Sequence, residues 1–133
     1  MPDEPKILIY VVDDDASVRQ ALKMLLISAN MAVRTFEQAE DLLKCEFREE
    51  KVCLIADIKM KGLGGIELQQ QLAKRGIKIP IIFLTAVESD EIRQSAKQAG
   101  AAGFFRKPVD DQALIDSIRW ALSKRGTLDF RLT

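Results

Sequence analysis

The sequence contains no histidine, and this absence narrows the chemistry that the chain can perform. A histidine-based catalytic triad, a histidine metal ligand and a phosphohistidine are all excluded within these 133 residues. Only two cysteines are present, Cys45 and Cys53, and their spacing does not match the C-x-x-C pattern of redox and zinc sites. We therefore predict that both thiols are reduced, as is typical of cytoplasmic proteins.

The sequence also lacks a long apolar segment and an excess of charge of either sign. No apolar run approaches the roughly 20 residues that a membrane-spanning helix needs, and the chain opens with Asp3 and Glu4 instead of a basic targeting segment. The 20 basic and 20 acidic residues give a formal net charge of +0. We expect a cytoplasmic protein that contacts neither a membrane nor a nucleic acid through this segment.

Apolar runs typical of buried strands alternate along the chain with segments of helical periodicity. The predicted strands cover residues 7–12, 32–36, 52–56, 79–84 and 103–106. The predicted helices cover residues 16–29, 38–47, 66–75, 88–99 and 110–123, and Asp15 or Ser17 caps the first. Strict alternation predicts a parallel sheet with right-handed crossovers and helices on both faces, which is a doubly wound α/β domain. Residues 125–133 fit no unit, and we expect a linker start or a tail there.

Polar side chains stand directly after four of the predicted strands. Asp13 and Asp14 follow the first strand, Asp57 the third, Thr85 the fourth and Lys107 the fifth. Each has an ordinary structural explanation on its own, as a turn residue, a strand residue or a solvated charge. In a doubly wound sheet, however, the carboxyl ends of the strands border one crevice. We therefore expect three carboxylates, one hydroxyl and one ammonium to meet.

Three carboxylates in one crevice require a cation. Two unit charges about 4 Å apart repel each other by about 4 kcal/mol at an effective dielectric constant of about 20. With oxygen ligands and no histidine or cysteine nearby, Mg²⁺ is the ion that suits the site. A magnesium site with a lysine and a threonine beside it is suited to a phosphoryl group. Asp57, at the end of a buried apolar run, is the candidate phosphate acceptor.

Four short motifs accompany these strand ends. They are Val12-Asp13-Asp14-Asp15, Asp57 followed by Met60 and Gly65, Phe83-Leu84-Thr85-Ala86, and Ala99-Gly100-Ala101 through Phe104-Phe105-Arg106-Lys107-Pro108. In this order and spacing the chain resembles the receiver domain of two-component response regulators, and among these the receivers of FixJ-like transcription factors. The resemblance implies a flavodoxin-like (βα)5 three-layer sandwich with a five-stranded parallel sheet in the order 2-1-3-4-5. It places the receiver domain at residues 1–124 and a linker or tail at residues 125–133.

The resemblance also implies a role for each carboxylate. Asp57 would be the nucleophile that accepts a phosphoryl group from a phosphohistidine of a sensor histidine kinase. Asp14, Asp57 and the backbone carbonyl of Lys59 would bind Mg²⁺ directly, and Asp13 would hold the ion partly through water. Because the chain has no histidine, it would only receive the phosphoryl group. Such a domain is a signalling receiver that catalyses its own phosphorylation and dephosphorylation, not an enzyme with a separate substrate.

The remaining motif residues would carry the response. Lys107 would pair with a phosphoryl oxygen, and the family's cis bond before Pro108 would aim this lysine inward. Thr85 would move to donate its hydroxyl to the phosphoryl group, and Phe104 would turn into the space that Thr85 leaves. The face formed by the fourth helix, fifth strand and fifth helix would then become a homodimerisation or output surface. A FixJ-like protein would continue past Thr133 into a helix-turn-helix domain that regulates transcription.

One position departs from the family pattern. Lys61 stands where a proline usually follows the methionine of the third loop, and Gly62, Gly64 and Gly65 follow it. Losing a proline while keeping glycines raises the conformational freedom of the backbone. We therefore expect a mobile loop and a less preorganised metal site.

Two other functions fit this arrangement of strands and helices. The first is a phosphorylation-independent receiver that acts as a protein-interaction module, for which Lys61 is the only support. The second is an enzyme, either an aspartyl-phosphate hydrolase or a nucleotide-binding protein. A hydrolase of the haloacid dehalogenase type would have a second aspartate at the position of Lys59, and a dinucleotide domain would have G-x-G-x-x-G near Asp13.

Overall fold

Five parallel strands form one sheet in the computed structural model, which describes residues 6–48 and 50–124. The strands are β1 (Leu8–Val12), β2 (Ala32–Phe36), β3 (Val52–Asp57), β4 (Ile81–Thr85) and β5 (Gly103–Arg106). Their order across the sheet is β2-β1-β3-β4-β5, and every pairing is parallel. The predicted strand order and flavodoxin-like fold class are therefore confirmed.

A helix follows each strand. The helices are α1 (Ala16–Ser28), α2 (Ala39–Leu43), α3 (Gly65–Lys74), α4 (Asp90–Gln98) and α5 (Asp111–Lys124). Asp15 caps α1, because its side chain accepts hydrogen bonds from the backbone amides of Ser17 and Val18. Ser89 caps α4 in the same way, with its hydroxyl accepting from the amide of Ile92.

The helices cover the sheet from both sides. On one face, α2, α3 and α4 pack on strand residues such as Tyr10, Leu54 and Phe83. On the other face, α1 and α5 pack on residues such as Ile9 and Ile55. Successive residues of one strand thus enter opposite cores, which explains why the central strands read as unbroken apolar runs. The three layers leave the carboxyl ends of the strands as a separate edge of the domain.

The second helix is shorter than the sequence predicts. We predicted a helix over residues 38–47, but α2 ends at Leu43. The chain leaves the helix so that Phe47 can pack edge-on against Tyr10, with 5.3 Å between the ring centroids. The prediction was wrong in its C-terminal half because this tertiary contact competes with helical propensity. The other predicted boundaries agree with the structure to within two residues.

Both cysteines are free thiols. Cys53 lies in β3 and is fully buried, and burial raises the pKa of its thiol to about 12. The thiol is therefore unreactive at neutral pH.

Within residues 6–48 and 50–124, no helix has the length and apolar character to cross a bilayer. The predicted linker or tail at residues 125–133 lies outside the described residues.

Candidate functional site

Parallel pairing brings the polar residues at the strand ends to one edge of the sheet. Asp13 directly follows β1, Asp57 ends β3, Thr85 ends β4 and Lys107 directly follows β5. Hydrogen bonds between the strand ends fix these positions. The amide of Asp13 donates to Phe36 O at 3.1 Å, and the amide of Lys107 donates to Thr85 O at 2.8 Å. The sheet itself therefore sets the spacing of the site.

Lys107 bridges two of the carboxylates. Its ammonium nitrogen Nζ lies 2.8 Å from Asp13 Oδ2 and 3.0 Å from Asp57 Oδ2. Asp13 is 1% exposed and Asp57 is 6% exposed, so both carboxylates are withdrawn from water. One ammonium thus compensates two buried negative charges. The peptide bond between Lys107 and Pro108 is cis, as the resemblance implied.

Burial and neighbouring charge act in opposite directions on these groups. Burial raises the pKa of Asp57, the Lys107 ammonium opposes this rise and the charge on Asp13 adds to it. For Lys107, burial alone would lower the pKa, but the carboxylates of Asp13 and Asp57 outweigh it and raise the pKa. Lys107 therefore stays protonated at neutral pH and keeps a positive charge beside Asp57.

The third carboxylate completes a cluster that fits a metal ion. Asp13, Asp14 and Asp57 each offer an oxygen, and these oxygens lie within 4.8 Å of one another. Asp13 Oδ2 is buried and accepts no well-aligned hydrogen bond from any described residue, although Lys107 Nζ is close enough for an ion pair. Carboxylate oxygens with spare lone pairs suit a hard cation such as Mg²⁺. Lys59 lies beside the cluster, since its amide contacts Asp57 Oδ1 at 3.4 Å.

Thr85 ends β4, and Phe104 lies in the neighbouring strand β5. The Thr85 hydroxyl is engaged locally, since Oγ1 donates to Val87 O at 2.7 Å and accepts from Val87 N at 3.2 Å. Phe104 pairs with Phe83 in the sheet register and is partly buried. The guanidinium carbon of Arg93 on α4 lies 5.4 Å from the centroid of the Phe104 ring. Arg93 also forms an ion pair with Glu88, so α4 contacts both the ring and the β4–α4 loop.

Several contacts of the site were missed by the sequence reasoning. The guanidinium of Arg19 donates to Asp13 O at 2.7 Å and buttresses the backbone of the first loop. Glu40 on α2 accepts a hydrogen bond from the Leu63 amide in the loop after β3. The cation–π contact between Arg93 and Phe104 was also not predicted. No motif signals them, because each depends on a backbone atom or a ring that only the fold brings within reach.

A glycine allows α3 to start close to the acceptor strand. A Cβ atom on Gly65 would lie 2.6 Å from the backbone oxygen of Asp57, which is closer than real Cβ atoms approach oxygen. The absence of a side chain therefore lets the first turn of α3 touch the end of β3. The predicted motif of Asp57 followed by Gly65 thus has a packing explanation.

The arrangement is suited to a reaction at Asp57. It combines the Asp57 carboxylate at the carboxyl end of β3, an ammonium 3.0 Å away and two further carboxylates that, together with Asp57, fit a divalent ion. Fixed charges of this kind stabilise the negative charge of a transferring phosphoryl group, and positioning them requires no rearrangement during the reaction.

Comparison with known proteins gives a consistent result. Transcriptional regulatory protein TdiR of Thauera aromatica is 42% identical over 115 residues, which are 86% of this chain and 51% of TdiR. Transcriptional regulatory protein FixJ of Azorhizobium caulinodans is 34% identical over 116 residues, which are 87% of this chain and 55% of FixJ. The chain thus spans about half the length of these curated relatives.

Solved structures agree with the observed fold. The response regulator StyR superimposes with a TM-score of 0.82 at 43% identity, covering 89% of this chain and 60% of the StyR chain. The crystal structure of FixJ-N also gives a TM-score of 0.82, at 30% identity, over 96% of this chain and 100% of that structure. The sequence-family model described as "Response regulator receiver domain" matches residues 9–119 of this chain. The chain therefore belongs to the response regulator receiver family of two-component signalling.

Proposed function

We propose that this chain accepts a phosphoryl group on Asp57 from a sensor histidine kinase. We further propose that phosphorylation alters the conformation of the face formed by α4, β5 and α5, so that this face forms a homodimer. The observation that carries the proposal is the Lys107 ammonium, which lies within 3.0 Å of Asp57 while also contacting buried Asp13. A lysine held in this way between two carboxylates is already placed to meet the new charge of a phosphoryl group.

The proposed transfer is a displacement at phosphorus. A carboxylate oxygen of Asp57 attacks the phosphorus of a phosphohistidine, a P–O bond forms, and the P–N bond to the imidazole breaks. The imidazole leaves with the bonding electron pair and takes a proton from solvent. Asp57 becomes an acyl phosphate, and Lys107 Nζ then pairs with a phosphoryl oxygen. Hydrolysis of the acyl phosphate would return Asp57 to its starting form.

Mg²⁺ is the cofactor that the acidic cluster fits. In this proposal Asp14, Asp57 and the Lys59 carbonyl bind the ion, and Asp13 holds it partly through water. When bound, the ion supplies positive charge that offsets the carboxylates and the incoming phosphoryl oxygens. Asp13 Oδ2 supports this assignment, because it is buried and, beside its ion pair with Lys107, accepts no well-aligned hydrogen bond from the described residues, so its remaining lone pairs are free for a cation or its bound water.

The test of the proposed function is labelling by a small phosphoryl donor. Incubation with acetyl phosphate and Mg²⁺ is expected to add one phosphoryl group per chain, measured by intact-protein mass spectrometry, and a chelator is expected to prevent the addition. The absence of labelling in the presence of Mg²⁺ would instead favour a phosphorylation-independent interaction module.

Mg²⁺ is expected to stabilise the folded chain. An ion that binds only the native state at ten times its dissociation constant adds about 1.4 kcal/mol to the free energy of unfolding. We therefore expect millimolar Mg²⁺ to raise the unfolding temperature by several degrees in differential scanning calorimetry. NaCl at the same ionic strength controls for screening among Asp13, Asp14 and Asp57. An equal shift with NaCl, or none with Mg²⁺, would count against the metal site.

The proposed switch involves Thr85 and Phe104. To reach a phosphoryl group on Asp57, the Thr85 hydroxyl must exchange its bond to Val87 O for a bond to a phosphoryl oxygen. Phe104 then turns into the space that Thr85 leaves, and the face of α4, β5 and α5 changes shape to favour a homodimer. Arg93 contacts Phe104 from α4 and would be displaced by this movement.

Thr85→Ala is expected to separate phosphorylation from dimerisation. The variant keeps Asp57 and Lys107, so it should still accept the phosphoryl group. It lacks the hydroxyl that would form a hydrogen bond with a phosphoryl oxygen. A hydrogen bond to a charged group contributes about 1.5–3 kcal/mol, which corresponds to a phosphorylated dimer weakened about 10- to 100-fold. Analytical ultracentrifugation with acetyl phosphate measures this effect. Thr85→Ser retains the hydroxyl and should dimerise like the wild type, and normal dimerisation of Thr85→Ala would contradict the switch.

We further propose that the output is control of transcription. TdiR and FixJ are described as transcriptional regulatory proteins, and this chain aligns with about half of each. In this proposal residues 1–124 are the receiver domain, residues 125–133 begin a linker, and a DNA-binding domain follows in the intact protein. The signalling would take place in the cytoplasm.

A further inference from the structure

A hydrogen bond from a backbone amide to a side-chain carboxylate joins the loop after β3 to the loop after β1. The amide of Lys61 donates to Asp14 Oδ2 at 3.1 Å, across 47 residues of sequence. The Lys61 side chain itself is exposed. The contact is therefore made by the backbone N–H, and any residue except proline at this position would supply it.

A second carboxylate holds the same loop from its other side. The amide of Leu63 donates to Glu40 Oε2 at 3.2 Å. Between the two donors lies Gly62, with a φ of 76°, and a Cβ atom on it would lie 2.7 Å from the same Glu40 oxygen. Gly62 thus lets the backbone turn so that amides on either side of it face carboxylates from different parts of the fold.

The Lys61 amide has a particular importance for Asp14. Lys107 holds Asp13 and Asp57, but it forms no ion pair with Asp14. In the part of the chain that the structure describes, the Lys61 amide is the only hydrogen-bonding or ion-pairing partner of the Asp14 carboxylate. Asp14 is also only half-buried, so packing restrains it less than it restrains Asp13.

We propose that the backbone amide of Lys61 is a positioning group that orients the Asp14 carboxylate for Mg²⁺. The proposal rests on the proposed metal site and deepens it. Oδ2 of Asp14 accepts a hydrogen bond from the amide, which restrains the orientation of the carboxylate and leaves its other lone pairs available to the cluster. Hydrogen bonds from outside the ligand set orient metal ligands in this way, and their loss typically weakens metal affinity by about 10- to 100-fold.

The test compares two substitutions at one position by isothermal titration calorimetry with Mg²⁺. Lys61→Pro removes the N–H, and we expect it to bind Mg²⁺ about tenfold more weakly than the wild type. Lys61→Ala removes the side-chain charge but keeps the N–H, and we expect binding within about twofold of the wild type. Equal affinity of Lys61→Pro and wild type, or equal weakening in both variants, would overturn the positioning role.

A further variant separates the lost N–H from the constraint of the proline ring. Replacing Lys61 by its α-hydroxy acid analogue converts the amide into an ester, which has no donor but keeps the side chain. We expect this variant to bind Mg²⁺ as weakly as Lys61→Pro, and wild-type affinity would overturn the proposal even if the proline variant misfolds. A wild type that binds no Mg²⁺ would overturn the metal site itself, which distinguishes that failure from a failure of the positioning role.

Glu40→Ala serves as a matched control within the same loop. It removes the other anchor, at Leu63, and leaves the Lys61 amide and all proposed metal ligands in place. We expect a lower unfolding temperature and Mg²⁺ affinity close to that of the wild type. If Glu40→Ala weakens Mg²⁺ binding as much as Lys61→Pro does, general loop order and not the Asp14 contact sets the affinity.

Discussion

Asp57→Asn is expected to abolish labelling by acetyl phosphate while leaving the fold intact. Asparagine has nearly the same shape as aspartate and keeps an oxygen that can accept a hydrogen bond from the backbone N–H of Lys59. The oxygen of a side-chain amide, however, is a poor nucleophile toward phosphorus. Because burial raises the pKa of Asp57, the folded state disfavours its charged form. We therefore expect the variant to unfold, without Mg²⁺, at the same temperature as the wild type or higher. Intact-protein mass spectrometry and calorimetry measure the two effects.

Asp15→Asn is the matched control for this substitution. Asp15 belongs to the same run of aspartates, but it is exposed and its carboxylate caps α1 through Ser17. Asparagine caps helices about as well as aspartate, so the variant should fold and be labelled like the wild type. Undiminished labelling of Asp57→Asn would show that another residue accepts the phosphoryl group. Labelling lost in both variants would point to a general effect of charge in this region.

The strand ends could be predicted from the sequence because they depend on a short-range pattern. An apolar run that stops at a polar residue identifies both a buried strand and the residue at its carboxyl end, as for Val52–Asp57. Parallel topology then brings Asp13, Asp57 and Lys107 together without further information. The fold class and the meeting of these side chains at one edge of the sheet could therefore be predicted, whereas the ion pairs of Lys107 with Asp13 and Asp57 are seen only in the structure.

The backbone hydrogen bonds that hold the loop after β3 could not be predicted in the same way. In the sequence, Lys61 appeared only as a lost proline in a glycine-rich loop, and we inferred a mobile backbone. The structure shows that the same position supplies an N–H to Asp14 and that Leu63 is held by Glu40. Backbone donors occur at every residue except proline, so a sequence does not indicate which of them meets a carboxylate 47 residues away. The predicted mobility of this loop remains a prediction, and amide hydrogen exchange at Lys61 measures it.

Lys107→Met is expected to be the most destabilising substitution in the site when Mg²⁺ is absent. The ammonium contacts Asp13 Oδ2 at 2.8 Å and Asp57 Oδ2 at 3.0 Å, and its removal leaves two buried carboxylates without a cation. Breaking a buried ion pair by removing one partner typically costs about 3–5 kcal/mol. The Lys107 side chain is 19% exposed, so water offsets part of the loss, and we expect a decrease of about 3 kcal/mol in the free energy of unfolding. Chemical denaturation with a chelator present measures this decrease.

The pH dependence of the Lys107→Met variant provides an independent check. Without the ammonium, the pKa of Asp57, which burial already raises, should rise further above its value in the unfolded chain. A carboxyl group with a raised pKa in the folded state favours folding at low pH and loses that contribution as the pH rises through the folded-state pKa. The difference in stability between the variant and the wild type should therefore shrink as the pH falls. A difference that does not depend on pH would indicate lost packing of the lysine chain instead of uncompensated charge.

Mg²⁺ and Lys107 are expected to act on the same carboxylates, and a thermodynamic cycle can show it. If both neutralise Asp13 and Asp57, saturating Mg²⁺ should stabilise Lys107→Met more than it stabilises the wild type, because the variant has more repulsion to relieve. Adding Asp13→Asn to Lys107→Met should likewise recover part of the lost stability by removing one of the two charges. Independent sites would give additive effects, and additivity would contradict a shared site. A non-additive cycle would instead show that the lysine and the metal ion neutralise the same acidic cluster around Asp57.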